Sequence, residues 1–253
     1  MVHDAYVICG TPRTGSTLLC GLLAATGRAG DPDSYFGGRF ILWWADQWGL
    51  PRAETLSPAD YASLYLDAAM RAGRGGTPVF GLRLMRENLP EAMDFIGRRH
   101  PGLPSDRARF EAAFGRTAFV HLSRADKLAQ AVSLVKAEQT GLWHVAPDGS
   151  ELERLAPPQE PVYDFERLRR EVADLDAYDR AWNDWFTAEA IDPLRVDYDA
   201  LAADPAGVLT AVCEAIGIEP PDPAEVEPGV ARLADALSAD WMARYREDGR
   251  SRG

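Results

Sequence analysis

Ala5-Tyr-Val-Ile-Cys-Gly-Thr-Pro-Arg-Thr-Gly-Ser-Thr-Leu-Leu-Cys20 is the stretch whose reading decides the fold of this chain. The apolar run Tyr6–Cys9 reads as a strand and breaks at Gly10. A loop of small residues with one cation, Arg13, follows, and Ser16-Thr17 then opens an apolar run, Leu18 to Ala25, of helical length. Strand, small-residue loop and helix start form an anion-binding arrangement. The N–H groups of the first helical turn have no intrahelical acceptor, and the helix dipole adds positive potential there.

The stretch nearly meets the nucleoside-triphosphatase pattern G-x-x-x-x-G-K-[ST]. Gly10 and Gly15 are correctly spaced and Thr17 stands at the magnesium-binding hydroxyl, but Ser16 replaces the lysine. That lysine reaches the β and γ phosphates, so its loss removes support for ATP hydrolysis. A cation inside the loop lies closer to a 5′-phosphate held at the helix end. A glycine-containing turn with no ligand is the alternative for this loop taken alone.

Working outward, alternating strand and helix signals predict an α/β chain with a central parallel sheet flanked by helices. Strands are expected near Ala5–Cys9, Pro78–Leu84, Thr117–Leu122 and Leu194–Val196. Helices are expected near Thr14–Thr26, from Pro58 (with Ser57 as N-cap) to Ala72, over Leu89–Arg99, Arg124–Gly141 and Tyr163–Ala190, and from Pro205 to Gly217. The Gly- and aromatic-rich stretch through Trp43, Trp44 and Trp48 reads as irregular. Val145–Pro161, with its prolines and Asp-Gly, reads as a flexible loop or lid, and the tail from Asp248 as frayed. No repeat or linker divides the 253 residues, which read as a single domain.

Composition narrows the function classes. A net charge of −12 argues against a nucleic-acid surface, while a small anionic ligand needs only a few converging cations and amides. No apolar run approaches the roughly 20 residues of a membrane span, and no charged leader precedes an apolar stretch. Three cysteines, Cys9, Cys20 and Cys213, without metal-ligand spacing, read as reduced thiols of a cytoplasmic protein with no metal site.

Further matches identify a family. Thr11-Pro-Arg-Thr-Gly-Ser-Thr-Leu-Leu19 with Asp31-Pro-Asp-Ser-Tyr-Phe36, Phe80-Gly-Leu-Arg-Leu-Met85, Val120-His-Leu-Ser-Arg-Ala-Asp126 and Gln139-Thr-Gly-Leu-Trp143 resemble the bacterial trehalose 2-sulfotransferase family. Trp182-Asn-Asp-Trp-Phe186, Arg232-Leu-Ala-Asp235 and Ser238-Ala-Asp-Trp-Met-Ala-Arg-Tyr245 extend the resemblance, in order, over nearly the whole chain. It implies a P-loop-like three-layer sandwich, a homodimer, and 3′-phosphoadenosine-5′-phosphosulfate (PAPS) as sulfuryl donor. The product would be adenosine 3′,5′-bisphosphate (PAP), with a small hydroxyl acceptor, a carbohydrate in the family.

Carried onto this sequence, the resemblance implies that Arg13 and the amides of Thr14, Gly15, Ser16 and Thr17 hold the 5′-phosphosulfate. Arg124 and Ser133 would grip the 3′-phosphate. Nine residues separate those two, two and a half helical turns, so Arg124 is expected at or before the helix start, reaching back. Arg232 and Trp241 would close over the nucleotide. On the acceptor side, Asp31 matches an acidic sugar-binding position and Tyr35-Phe36 an aromatic pair, but Ser34 stands where the family has its glutamate base. Pro12 likewise replaces a sugar-contacting glutamine. Asp33, one residue away, is the first candidate for the base; Glu138 and His144 are the alternatives, with His121 a core histidine. Arg83 points into the site or pairs with an acid at its rim. Both departures fall in the acceptor half, so the reaction type carries over and trehalose as acceptor does not follow. A P-loop nucleotide kinase and a nucleotide-binding protein without catalysis remain the competing readings.

Overall fold

The computed structural model describes residues 2–231, 233 and 235–252. Its strands are β1 (Ala5–Gly10), β2 (Phe80–Met85), β3 (Thr117–Ser123), β4 (Leu142–Val145), β5 (Glu151–Arg154) and β6 (Leu194–Asp197). Its helices are α1 (Ser16–Ala25), α2 (Gly38–Gln47), α3 (Pro58–Arg74), α4 (Leu89–Arg99), α5 (Asp106–Phe114), α6 (Lys127–Thr140), α7 (Phe165–Ala188), α8 (Tyr198–Ala203), α9 (Pro205–Ile216) and α10 (Ala236–Arg252).

Four strands make one parallel sheet in the order β2-β1-β3-β6. Every residue of β1 is buried, because both faces of a parallel sheet are covered. Alternation along the strands splits the core into two layers. Val7 and Cys9, with Phe80, Leu82, Leu84 and Phe119, pack against α3, α4, α5 and α7. Tyr6 and Ile8, with Val120, Leu122 and Val196, pack against α1, α8 and α9. The result is helices, sheet, helices: the three-layer arrangement expected of the sequence. A third cluster joins α6, α7 and α10 around Leu168, Leu175 and Trp241.

Gly10 lies in register with Met85 on one side and Leu122 on the other. The carboxyl ends of β1, β2 and β3 are therefore level, and the segments that leave them share one edge. Trp182 of α7 fixes that edge from below, its Nε1 donating to the Gly10 carbonyl at 2.9 Å.

Several elements depart from the sequence reading. α1 begins at Ser16 rather than Thr14, because Gly15 is left-handed (φ 81°) and cannot extend the helix. The stretch read as irregular holds α2. No side chain caps it, and it is held by Trp44 and Trp48, whose rings lie 5.2 and 5.9 Å from that of Tyr35. α5 and α8 are short helices that the sequence reading passed over. The segment expected to be a flexible loop contains β5, which pairs antiparallel with β4. That hairpin is tied down at both ends: Leu155 N donates to Gly141 O at 2.8 Å, and Ala231 N to Val145 O at 2.9 Å. The helix α10 runs past Asp248, where fraying was expected. Tyr163 donates to Asp248 at 2.8 Å, and Arg252 pairs with Glu166 at 2.9 Å while covering the Phe165 ring.

Candidate active site

The loop after β1 is shaped by two left-handed residues and two buried donors. Arg13 has φ 65°, unusual for a side chain with a Cβ, and Gly15 has φ 81°. At Gly15 a Cβ would lie 3.0 Å from the Tyr198 ring, so a side chain there would crowd that ring besides straining the left-handed backbone. Thr14 Oγ1 donates inward to Thr11 O at 2.8 Å. From α6, Gln130 Nε2 donates to Thr11 Oγ1 at 2.9 Å and to Pro12 O at 2.6 Å. Gly15 caps α1 without any side-chain hydrogen bond, which leaves the first-turn amides for a ligand.

Arg13 is held over this helix end. Its Nε donates to Ser133 Oγ at 3.0 Å and its Nη1 to Trp143 O at 2.8 Å. Burial first, and Arg124 second, pull its pKa down from the usual guanidinium range. Arg124 precedes α6, as the spacing argument required, and reaches back to donate to Arg13 O at 3.3 Å. Its guanidinium lies over the Tyr198 ring at 4.3 Å. Lys127 anchors the turn by donating to Arg124 O at 2.5 Å while pairing with Asp179.

A second network joins α1 to the segment after it. Arg83, on the α1 side of β2, donates to Thr17 Oγ1, Ser34 Oγ and Asp33 Oδ1, each at 2.9 Å. Asp33 also accepts from the Ser34 N–H at 2.6 Å, and its backbone continues the sheet beside Leu82. His144 of β4 completes the network, its Nε2 at 3.0 Å from Thr17 Oγ1 and 3.4 Å from Glu153 Oε2. Burial, then the cations Arg13 and Arg83, bring the His144 pKa down to about 4, so the ring is neutral at pH 7.

These groups face a cavity of about 710 Å³. Arg13, Gly15, Ser16, Thr17, Arg124 and Ser133 line it, as do Ser34, Arg83 and His144. The 145–161 segment contributes Glu153 through Leu155 and Pro158 through Pro161 to its wall.

Other sequence candidates lie elsewhere. The Thr14 side chain is turned into its own loop. Tyr35 is buried in the core, donating to Asp31 O at 2.7 Å. Asp31 and Asp33 are not among the described residues that line the cavity; burial and the nearby Asp33 raise the Asp31 pKa. Glu138 pairs with Arg167 at 2.5 Å on the outer side of α6. Five residues beyond Ser133 at 100° each, it sits about 140° round the helix from the cavity-facing row. His121 is a core residue, 2% exposed, against Phe186. Trp241 packs between α6, α7 and α10 rather than over the loop, and Arg232 lies outside the described residues.

Sequence reasoning missed two residues here. Gln130 fell only within an expected helix, and its role as the loop's buried donor depends on α6 crossing beneath Thr11. Glu153 was hidden in the segment read as a flexible loop.

Comparison with known proteins follows the same geometry. The family model for the Stf0 sulphotransferase matches residues 5–248. A trehalose 2-sulfotransferase of Mycolicibacterium smegmatis is 30% identical over 268 residues, covering 98% of this chain and 97% of the relative. One of Mycobacterium tuberculosis is 30% identical over 264 residues, covering 96% and 94%. Among solved structures, the sulfotransferase domain from the curacin biosynthetic pathway aligns with TM-score 0.50 and 13% identity, over 94% of this chain and 82% of that one, a likeness of fold. The family match spans the anion-binding loop, the hairpin and most of α10 alike, and the chain is therefore a sulfotransferase belonging to the Stf0 family.

Proposed function

We propose that this sulfotransferase takes its sulfuryl group from PAPS and delivers it to a hydroxyl of a carbohydrate or similar small polyol. The observation that carries the reading is Arg13. It is a half-buried guanidinium whose hydrogen-bond partners, Ser133 Oγ and Trp143 O, are neutral, beside the second guanidinium of Arg124. Burying cations together is costly unless an anion joins them, and uncapped amides at the α1 N-terminus open on the same cavity.

In this reading Arg13 and the amides of Gly15, Ser16 and Thr17 hold the 5′-phosphosulfate, and Arg124 with Ser133 holds the 3′-phosphate. When bound, PAPS supplies an activated sulfuryl group whose leaving oxygen gathers negative charge. Arg13 and the amides are fixed donors aimed at that charge, the arrangement that lowers such barriers most. His144, neutral and in contact with Thr17, takes the acceptor proton at Nε2. Asp33, the first sequence candidate for that duty, holds Arg83 instead. Ser34 and Arg83 face the acceptor, while Asp31 and Tyr35 shape the segment behind them. The reaction needs no metal. The resemblance to the trehalose enzymes also implies a homodimer, and the buried free thiols of Cys9, Cys20 and Cys213 suit a reducing, cytoplasmic setting.

The two relatives are trehalose 2-sulfotransferases by name, but Pro12 and Ser34 alter the acceptor half here. The test is therefore a transfer assay with [35S]PAPS against trehalose, other free sugars, glycosides and sugar alcohols, with and without EDTA. Label is expected on one acceptor class and insensitive to EDTA. PAP binding without transfer to any acceptor would mark a nucleotide-binding protein.

A further inference from the structure

β4 and β5 do not pair evenly. Leu142 lies opposite Arg154, His144 opposite Glu153 and Val145 opposite Glu151, with register shifts on both sides of His144. Trp143 is the extra residue on β4, and its carbonyl is the one that accepts from Arg13 Nη1. Bulges re-aim side chains. Here they turn the cross-strand pair His144 and Glu153 together into the cavity, with Glu153 Oε2 at 3.4 Å from His144 Nε2.

Thr17 Oγ1 accepts an N–H from Arg83 and lies 3.0 Å from His144 Nε2. With the imidazole proton on Nδ1, the tautomer that leaves Nε2 able to take up a proton, the Thr17 O–H donates to Nε2. Glu153 then faces a lone pair on the nitrogen that is to be protonated. The charged groups around the ring are Arg13 from the loop, Arg83 from β2 and Glu153 from β5; the first two oppose a positive imidazole and Glu153 alone of the three favours it.

We propose that Glu153 is a positioning residue for sulfuryl transfer: it orients His144 and stabilises the imidazolium formed when the acceptor is deprotonated. This rests on His144 being the base. The acceptor hydroxyl replaces the Thr17 hydroxyl at Nε2 and gives up its proton there. The new oxygen–sulfur bond forms as the bond from sulfur to the donor's 5′-phosphate oxygen breaks, and that oxygen keeps the electron pair. The new Nε2–H becomes a charge-assisted donor to Glu153, a contact worth more after proton transfer than before it. No carboxylate in the Asp31–Phe36 segment is needed, which accounts for Ser34 at the position where the resembling enzymes carry a glutamate.

The test is an NMR titration of the His144 imidazole in the full chain with saturating PAP, comparing the parent with Glu153→Gln, Glu153→Asp and, as a cavity-wall control, Glu160→Gln. Glu153→Gln is expected to lower the His144 midpoint by about one pH unit, with PAP affinity unchanged. Glu153→Asp should fall between, and Glu160→Gln should leave the midpoint in place. An unchanged midpoint in Glu153→Gln, or an equal shift from Glu160→Gln, overturns the proposal. Full transfer activity in His144→Asn would instead overturn the assignment of the base.

Discussion

Arg13→Ala is expected to lower turnover roughly 100- to 1,000-fold, the range seen when one donor to a developing oxyanion is removed. Two features make this effect large. Arg13 reaches Ser133 and Trp143 at once, so it connects the loop to both α6 and the hairpin. It is also the cation set within the loop turn, where a P-loop enzyme would place its lysine three residues later. Stability should change little, because the lost hydrogen bonds are offset by removal of a half-buried charge whose pKa desolvation already depresses. Steady-state rates with PAPS and a thermal melt check both halves: a normal melt with a collapsed rate is the expected pair. Activity within a few-fold of the parent would remove Arg13 from the mechanism.

The second large effect is at His144. His144→Asn keeps a polar group beside Thr17 but cannot accept a proton at pH 7, and roughly a 100- to 10,000-fold loss in kcat is expected for removal of a general base. PAP affinity should remain, since the residues proposed to hold the donor's anionic groups are others. The pH profile carries the sign. A base works when deprotonated, so kcat/KM of the parent should fall as pH drops through the free-enzyme midpoint of about 4. That limb should vanish in His144→Asn and persist in Asp33→Asn, whose carboxylate engages Arg83. If Asp33→Asn abolishes the limb and His144→Asn does not, the base belongs to the acceptor segment.

How much of this was legible in the sequence depended on how local each signal was. The β1–loop–α1 unit was readable because strand, loop and helix start are contiguous. α3 was readable from Ser57, whose side chain accepts from Asp60 N, and Pro58 at the first turn. α2 was not: it opens at Gly37-Gly38 with no capping side chain, and it is held by tertiary packing of Trp44 and Trp48 on Tyr35. The hairpin was hidden by its prolines and by its position between two helices, so nothing in the sequence paired His144 with Glu153. For the site, the loop residues Arg13 to Thr17 are consecutive and were legible, whereas the network around Arg83 and His144 is assembled from β2, β4 and β5, and Arg83 illustrates the difference. Its position on a strand was legible, but its three bonds to Thr17, Ser34 and Asp33 depend on how the Asp33 segment lies beside β2. Glu138 shows the opposite error: near Ser133 in sequence, it faces Arg167 on the far side of the same helix.

We infer that the first loop, with Arg124, is built for a 3′-phosphorylated adenosine phosphosulfate rather than for a magnesium nucleoside triphosphate. Isothermal titration of the intact chain with PAP, and separately with ATP and magnesium, tests it most directly. The expected result is saturable PAP binding that needs no metal, weakened at least about tenfold by Arg124→Ala through loss of a charge-assisted contact, with no measurable ATP binding. Magnesium-dependent ATP binding without affinity for PAP would overturn this assignment.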